Sequence, residues 1–247
     1  IVFTFPNCLM LNLRADQSSS LITVTVVPQD REVVAVVRLI DVSVVVPVLN
    51  EERGIEALLR TLKQILSSPS NEVIIVDGGS VDGSLQKLAE TFSESPNCHI
   101  LSSDKGRAAQ MNQGAELAQA KVLLFLHADT LLPKQAFTEL ASFNNSAAAW
   151  GRFDVALSNR SLAYRIISWF INQRSRLTGV ATGDQAIFIK RESFDIVDGF
   201  PKQLLMEDVE ISKSLKAISR PWCSRTRVVT SSRKWEQGGI IATVLLM

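Results

Sequence analysis

Residues 73–84 read Val73-Ile74-Ile75-Val76-Asp77-Gly78-Gly79-Ser80-Val81-Asp82-Gly83-Ser84. The four apolar residues at the start predict a strand that is buried on both faces, as in a parallel sheet covered by helices. The glycines that follow permit a close backbone turn, and helical spacing resumes at Leu85. The stretch therefore predicts a strand, a loop with two carboxylates and a helix in immediate succession.

The same alternation of strand and helix continues on both sides of this stretch. It predicts a doubly wound parallel sheet with right-handed crossovers. In such a sheet ligands bind beyond the carboxyl ends of the strands, so the loops at 47–52, 77–82, 104–107 and 127–130 form the candidate site. The other strands are predicted at 42–46, 99–101 and 122–126, and helices over 50–66, 85–92, 106–118 and 133–143.

Length and composition exclude several classes of protein. Of 247 residues, 46% are hydrophobic and 21% are charged, which is typical of a globular chain with a large core and not of a disordered one. The net charge of +1 argues against a general nucleic-acid-binding surface. Cys8, Cys98 and Cys223 have no paired spacing, so no disulfide framework or zinc cluster is expected and a reducing, cytoplasmic compartment is favoured.

The two ends of the chain differ from its centre. Residues 1–41 are expected to be an extension without functional residues, in which the β-branched runs 21–27 and 32–40 predict a hairpin. Residues 42–239 are expected to form the main domain, and 240–247 to begin an apolar helix that the sequence cuts short. A spanning helix needs roughly 20 residues, so this last segment leaves a membrane-associated continuation open.

Two loops carry carboxylates at predicted strand ends. Asp77 and Asp82 follow the second strand, where they could accept bonds from a base N–H or from ribose hydroxyls; alternatively, Asp82 caps the next helix. The loop matches neither the dinucleotide nor the P-loop glycine pattern. After the fourth strand, alternation would place His127 and Asp129 on one side, where they could hold Mn²⁺ or Mg²⁺ against a diphosphate. The alternative is a histidine bonded to backbone beside an aspartate that turns the chain.

Four motifs occur in order along the chain: Val44–Glu52, Val76–Gly83, His127–Asp129 and Met206–Asp208. Together they resemble the family 2 glycosyltransferases over about residues 42–239. The resemblance implies a GT-A fold, which is a Rossmann-like, doubly wound, mostly parallel sheet with helices on both faces. It also implies transfer of a sugar from a nucleotide-diphosphate sugar.

A narrower similarity rests on three stretches. The His-Ala-Asp motif, the run from Gly106 to Asn112 and the late Ser231-Ser232-Arg233-Lys234-Trp235-Glu236 look closest to a bacterial subgroup labelled as linked to arsenosugar biosynthesis. That label is a loose guide to the substrate.

The family pattern implies the following nucleotide-sugar contacts. Pro47 and Glu51 would flank the base and ribose, Asp77 would bond the base, and Asp82 would lie near the nucleotide. Ala128, inside the His-Ala-Asp motif, would also contact the nucleotide sugar.

The pattern also implies the metal ligand and the base. Asp129 matches the metal-binding last acid of the family's Asp-x-Asp, and Asp208 matches the catalytic base. His127 departs from the family, which has an acid there, so the identity of the metal is left open.

Sugar transfer needs one base for the acceptor's proton and a stabiliser for the departing diphosphate. No enzyme nucleophile is needed if the acceptor attacks directly and inverts the anomeric centre. Asp208 alone could be that base, with Glu207 orienting it or the acceptor. Both acids also begin a helical pattern, where the helix dipole alone would explain them.

Basic residues supply candidates for diphosphate binding. Lys105 and Arg107 flank the start of the third helix, where N–H groups favour anions, although a solvated helix start is an equal alternative. Arg233 and Trp235 are the best candidates for a diphosphate clamp, because arginine binds phosphate through two N–H groups.

The acceptor side is less clear from the sequence. Asp184 and Gln185 could bond an acceptor hydroxyl or simply form a turn. The helix predicted over 162–171 combines apolar bulk with arginine, which suits a membrane surface but is favoured here as packing on the sheet.

We therefore expect an inverting, metal-dependent glycosyltransferase with a sugar, lipid-linked or small-molecule acceptor and no nucleic-acid partner. It is expected in the cytoplasm, with peripheral contact to the inner membrane face left open; the oligomeric state is not predicted. A nucleotide-sugar-binding protein without catalysis is the alternative. A nucleotidyltransferase is disfavoured because residues 47–52 contain no glycine.

Overall fold

The computed structural model describes residues 40–203, 205–233 and 236, together with the backbone of four strands nearer the amino terminus. Those four strands form an antiparallel sheet in the order β1-β2-β3-β4. The runs expected to form a hairpin contain β3 and β4, which pair from Leu21 with Arg38 to Val26 with Val33. The predicted helix at 240–247 lies outside the described residues. The strands are β1 (Val2–Thr4), β2 (Met10–Ala15), β3 (Leu21–Val27) and β4 (Val33–Arg38).

The main sheet has eight strands in the order β7-β6-β5-β8-β11-β10-β12-β9. Its first four strands in that order are parallel, β10 and β12 are parallel to each other, and β11 and β9 are antiparallel to their neighbours. The strands are β5 (Val42–Val48), β6 (Asn71–Asp77), β7 (Cys98–Ser102), β8 (Val122–Phe125), β9 (Thr130–Leu131), β10 (Trp150–Leu157), β11 (Ile187–Lys190) and β12 (Trp222–Thr230).

Helices cover both faces of this sheet, as expected. On β5, Val44 and Val46 pack into a cluster with α1, α2 and α4, whereas Val45 packs into a second cluster with α3 and α7. Neighbouring residues of a strand point to opposite faces of the sheet, and helices cover both faces, so all three valines are fully buried. The helices are α1 (Ile55–Leu66), α2 (Ser84–Phe92), α3 (Arg107–Leu117), α4 (Gln135–Asn144), α5 (Leu162–Thr178), α6 (Arg191–Ile196) and α7 (Glu207–Ile218), with 3₁₀ turns at Glu52–Gly54 and Gly183–Gln185.

Two predicted boundaries are wrong near the site. The helix expected from residue 50 starts as a 3₁₀ turn at Glu52, because Asn50 has a φ of 54° and turns the chain there. The fourth strand ends at Phe125, and residues 127–130 form a turn closed by the Thr130 N–H to the His127 carbonyl at 3.0 Å. The extended-chain alternation predicted for His127 and Asp129 therefore does not apply.

Six loops meet at one edge of the sheet, which we call the carboxyl edge. β10 is antiparallel to β11, which is antiparallel to β8, so β10 and β12 point the same way as β5, β6, β7 and β8. The carboxyl ends of these six strands therefore lie together. Within the described part of the chain, no helix is both long and apolar enough to cross a bilayer.

Candidate active site

The loops after β5 and β6 are joined by hydrogen bonds at the carboxyl edge. Asp82 accepts the Glu52 N–H with Oδ2 at 3.0 Å, and its Oδ1 accepts the Ser84 hydroxyl at 2.5 Å and the Ser84 N–H at 3.0 Å. The Ser84 hydrogen bonds hold the pKa of Asp82 below its ordinary value. Both oxygens of Asp82 are therefore engaged by the protein, which matches its alternative interpretation as a loop and cap residue.

Asp77 is placed differently, although it belongs to the same loop. Its side chain is buried at 2% exposure, and Oδ2 accepts the N–H groups of Gly79 and Ser80, both at 3.0 Å. Its other oxygen, Oδ1, is buried and has no hydrogen-bond partner among the residues that the structure describes. A buried carboxylate oxygen without a donor is costly, so this oxygen is an acceptor available to a ligand N–H or hydroxyl.

Gln110 of α3 supports this part of the site and was not assigned a role from the sequence. Its buried amide donates to the carbonyls of Val48 at 2.8 Å and Val76 at 2.7 Å, so it bridges the ends of β5 and β6. A Cβ at Gly78 would lie 3.0 Å from that amide. A fully buried polar residue in a helix is the structural sign of such a role. Burial, however, is not visible in the sequence.

Glu51 and Arg233 meet across the carboxyl edge. The Arg233 Nη2 lies 2.9 Å from the Glu51 Oε2, and its Nε donates to the Ser231 hydroxyl at 3.1 Å. Ser231 donates its N–H to the Asp129 carbonyl at 3.1 Å. Two residues predicted to contact the nucleotide are thus brought together from opposite ends of the domain. Trp235, the other half of the predicted clamp, lies outside the described residues.

Pro47 and Ala128 are both buried at strand ends. Pro47 lies within β5 and pairs in register with Val76, and Ala128 is 9% exposed. They contribute shape rather than polar contacts to this edge.

His127 contacts the loop between α5 and β11. Its Nδ1 lies 3.4 Å from the Asp184 Oδ1, and a Cβ at Gly183 would meet the imidazole at 2.3 Å. Burial lowers the pKa of His127, but the hydrogen bond and charge of Asp184 outweigh it, so the pKa is raised overall. The predicted acceptor residue Asp184 is therefore engaged with the predicted metal ligand.

Asp129 has the features of a ligand for a hard cation. It is half-buried, and the hydroxyls of Thr130 and Thr230 approach its Oδ1 only at 3.5 Å. Within the described residues, no group of three or more histidine, cysteine, aspartate or glutamate side chains is arranged to hold a metal. One carboxylate nevertheless fits Mg²⁺ or Mn²⁺ chemistry, in which phosphates and water supply most of the ligands.

The start of α7 supplies two acids to the same edge. The Asp208 Oδ2 accepts the Gly183 N–H at 2.7 Å, and its Oδ1 accepts the Val209 N–H at 2.8 Å. Glu207 is only 3% exposed, and its Oε1 lies 3.5 Å from the Arg107 Nε at the start of α3. Lys105 is exposed beside Arg107.

Gln185 does not have the accessibility that an acceptor contact needs. It is fully buried; its Oε1 accepts the Thr182 N–H at 3.2 Å, and its Nε2 lies 3.5 Å from the Phe153 carbonyl. It closes a capping box with Thr182. The alternative interpretation as a structural turn is therefore the one that the contacts favour.

These contacts form one continuous chain around the carboxyl edge. Asp82 joins the first two loops, the Glu51–Arg233 pair and Ser231 lead to Asp129, and His127 leads through Asp184 and Gly183 to Asp208. The Glu207–Arg107 pair then returns to α3. The loops that carry Asp77, Asp129 and Asp208 are thus joined to one another at this edge.

Comparisons with known proteins identify the family of the chain. A family model described as "Glycosyl transferase family 2" matches residues 43–196. An undecaprenyl-phosphate 4-deoxy-4-formamido-L-arabinose transferase of Pseudomonas fluorescens (strain Pf0-1) is 33% identical over 168 residues, covering 64% of this chain and 48% of that protein. The chain spans about half the length of the curated relatives it matches.

Solved structures show the same fold at low sequence identity. S. aureus TarS in complex with UDP-GlcNAc has a TM-score of 0.62 at 19% identity, over 78% of this chain and 59% of that one. The mannosyltransferase PcManGT from Pyrobaculum calidifontis, in complex with GDP-Man and Mn²⁺, has a TM-score of 0.62 at 18% identity, over 79% and 58%.

Proposed function

The chain belongs to glycosyltransferase family 2, and from that premise we propose that it transfers a sugar from a nucleotide-diphosphate sugar to an acceptor hydroxyl. Its fold is the GT-A fold expected from the sequence. The narrower similarity to the subgroup linked to arsenosugar biosynthesis stays a prediction.

The observation that carries the proposal is the buried Oδ1 of Asp77, which has no partner in the described part of the chain. A buried carboxylate held by two backbone N–H groups, with Oδ1 unpartnered, presents a fixed acceptor at the end of β6. A nucleotide base offers an N–H of matching polarity, and closing this bond would satisfy the one unpaired oxygen of the side chain. We therefore assign Asp77 to the base, with Glu51 and the buried Pro47 beside it.

The diphosphate is assigned to the middle of the site. Asp129 and His127 would hold a divalent cation, Mn²⁺ or Mg²⁺, whose charge, when it is bound, neutralises the departing diphosphate. Arg233 and Arg107 are each paired with a glutamate, Glu51 and Glu207 respectively. Phosphate oxygens would compete for these guanidinium groups, because arginine binds phosphate and carboxylate in the same bidentate way.

The transfer step needs only one proton acceptor. The acceptor oxygen attacks the anomeric carbon while the bond from that carbon to the phosphate oxygen breaks, and the acceptor's proton passes to Asp208. Attack from the face opposite the leaving group inverts the anomeric centre. The Gly183 and Val209 N–H groups hold the carboxylate of Asp208 in place for this role.

The proposed acceptor comes from the similarity to a named relative. The relative of 33% identity is named for a reaction of undecaprenyl phosphate, so we give a lipid-linked acceptor the first place among sugar, lipid-linked and small-molecule acceptors. Such an acceptor would bring the enzyme to the cytoplasmic face of a membrane, and that location is part of the proposal.

Thermal shift with a panel of nucleoside diphosphates, each with Mn²⁺ or with EDTA, tests donor binding. A ligand at a hundred times its Kd stabilises the native state by about 2.7 kcal/mol. We expect the nucleoside diphosphate to raise the Tm only when the metal is present. Asp129→Asn should abolish this rise in Tm. The matched control Asp195→Asn, at an exposed position of α6, should show the same rise as wild type.

A second measurement separates the enzyme from its alternative. Release of nucleoside diphosphate from the sugar donor that binds best should depend on Asp208. Binding without turnover over many acceptors would favour a nucleotide-sugar-binding protein, and no binding by any nucleotide would overturn the proposal.

A further inference from the structure

A groove outside the candidate active site runs beside α5. It has a volume of about 1040 Å³ and is bounded by α5 and by the adjacent strands β10 and β12. The side chains of Ser168 and Asn172 fasten α5 to the edge of β10, through the N–H groups of Leu157 at 3.1 Å and Val155 at 2.9 Å. The groove is therefore a fixed feature of the fold, and we call it the α5 groove.

The charge of the α5 groove is strongly positive. Arg176 lies 2.5 Å from Asp154, which also pairs with the buried Arg152. Among the described residues that line the groove, Asp154 is the only acidic one, and both its oxygens are used in these pairs. Four further arginines line the groove, are exposed and form no ion pair within the described residues: Arg160, Arg165, Arg225 and Arg227.

The rim of the groove is apolar. Leu162, Ile166 and Trp169 recur at i, i+4 and i+7 on α5, so they lie on one side of the helix. They are 69%, 47% and 55% exposed, whereas Tyr164, Ile167 and Ile171 of the same helix are buried. The helix thus packs on the domain, as the sequence favoured, and also presents a second apolar stripe to solvent.

Positive charge beside exposed leucine, isoleucine and tryptophan matches one kind of ligand. Arginine attracts phosphate, and tryptophan favours the boundary between lipid headgroups and acyl chains. A basic helix with an apolar stripe binds anionic bilayers through both contributions. A free phosphate would satisfy the arginines alone and would leave the apolar stripe in water.

The groove reaches the carboxyl edge. At its end, the Ser158 hydroxyl lies 2.9 Å from the Ser232 hydroxyl, next to Arg233 and its partner Glu51. Asn159 donates there to Glu236 at 3.0 Å. A surface bound in the groove would therefore lie beside the candidate active site.

We propose that the α5 groove docks the phosphate headgroups of an anionic lipid bilayer, with Leu162, Ile166 and Trp169 inserted among the acyl chains next to them. This inference rests on the membrane location in the proposed function, for which the α5 groove would be the docking surface. It is tested without donor or acceptor, so its failure leaves the donor-binding experiment intact.

Co-sedimentation of the full chain with vesicles tests the charge. We expect binding to phosphatidylcholine vesicles that contain phosphatidylglycerol, and little binding to phosphatidylcholine alone. Arg225→Gln combined with Arg227→Gln should weaken binding by about tenfold or more, because each arginine near an anionic surface adds to the attraction. Added salt should weaken the wild type in the same direction.

A matched double variant controls for net charge. Arg60→Gln with Lys121→Gln removes two exposed positive charges elsewhere on the domain and should leave vesicle binding within about twofold of wild type. Equal losses in the two double variants would overturn the groove as the docking site, as would absence of binding to anionic vesicles. Inorganic phosphate that competes fully with the vesicles, at a concentration where sodium chloride of the same ionic strength does not, would indicate an anion site only and would also overturn the proposal.

Tryptophan fluorescence tests insertion of the apolar rim. Brominated acyl chains should quench part of the protein's fluorescence when vesicles bind, and Trp169→Phe should remove that part while co-sedimentation is retained. Trp169→Ser should weaken binding as well. Undiminished quenching in Trp169→Phe would show that another surface inserts.

Discussion

Two loops at the carboxyl edge each carry a pair of polar side chains that the sequence assigns to ligand binding, and each pair is divided by its contacts. In the loop after β6, both oxygens of Asp82 accept hydrogen bonds from neighbouring N–H and hydroxyl groups. Asp77 has one buried oxygen that accepts no hydrogen bond from the described residues. In the loop before β11, Gln185 is buried, while Asp184 is 31% exposed and faces His127.

The division has one physical cause. A tight loop leaves backbone N–H groups without partners, and a side chain must accept them or the loop is unstable. In each loop one residue, Asp82 or Gln185, uses both of its side-chain polar atoms for contacts within the protein. Of the other two, Asp77 accepts loop N–H groups through one oxygen only, and Asp184 faces the imidazole of His127. The comparison thus predicts that substitutions at the first kind reduce stability, and substitutions at the second kind reduce binding or turnover.

Asp208 is the strongest challenge to this division because it has both roles. It accepts the Gly183 N–H of the second loop and is the proposed base. Asp208→Asn cannot take a proton at neutral pH, and its single acceptor oxygen can serve only one of the N–H groups of Gly183 and Val209. We expect the transfer rate to fall by about 10²- to 10⁴-fold, with a loss of only about 1 kcal/mol in the free energy of unfolding.

Initial rates and chemical denaturation measure the two effects of Asp208→Asn together. Glu210→Gln, on the same helix but in an exposed pair with Lys213, is the control and should leave the rate unchanged. A variant of Asp208 that unfolds readily but keeps its rate per folded molecule would assign this residue to the loop alone.

The pair Asp77 and Asp82 gives the next largest effect. Asp77→Asn replaces a carboxylate that is held by two N–H groups, and we expect the Kd of the best-binding nucleoside diphosphate to rise by about ten- to a hundredfold. Asp82→Asn should change that Kd by no more than about threefold but lower the Tm, because the Glu52 N–H loses its acceptor. Calorimetry measures the two Kd values and thermal unfolding the two Tm values. A larger rise in Kd for Asp82→Asn than for Asp77→Asn would contradict the assignment.

The sequence predicts those parts of the fold that depend on local patterns, and not those that depend on contacts between distant residues. The buried strands β5, β6 and β8 and their helices are predictable because a continuous apolar run has few other structures available to it. The antiparallel insertion of β11 and the placement of β12 beside β10 depend on contacts between distant residues, which no local pattern in this chain indicates.

The candidate site shows the same limit at the level of single residues. Strand ends locate Asp77, Asp129 and their loops correctly at one edge, because parallel strands share that edge. The pairing of Glu51 with Arg233 and of His127 with Asp184 joins residues from different loops and could not be read from spacing. Gln110 was missed for the same reason, since its role depends on burial between β5 and β6.

In the loop before β11, the expected effect is smaller and concerns stability rather than binding or turnover. Gln185→Ala should lower the free energy of unfolding by about 1–3 kcal/mol, because it leaves the half-buried Thr182 N–H without its acceptor and opens a small cavity at the buried Gln185. Asp184→Asn, its neighbour and control, should lose far less stability. Denaturant unfolding of the two variants decides the matter, and equal losses would mean that both residues build the loop.

The smallest expected effect concerns pH, and it isolates the structural role of Asp82. Hydrogen bonds from Ser84 lower the pKa of this carboxyl from 3.8, so the folded state prefers the ionised form. The stabilisation is fully present above pH 3.8, and it is lost as the pH falls below 3.8 through the folded-state pKa. The difference in unfolding free energy between wild type and Asp82→Asn should therefore shrink as unfolding is measured at lower pH. A difference that stays constant across this range would mean that the Ser84 hydrogen bonds do not favour the charged form, and Asp82 would then stabilise the loop by shape alone.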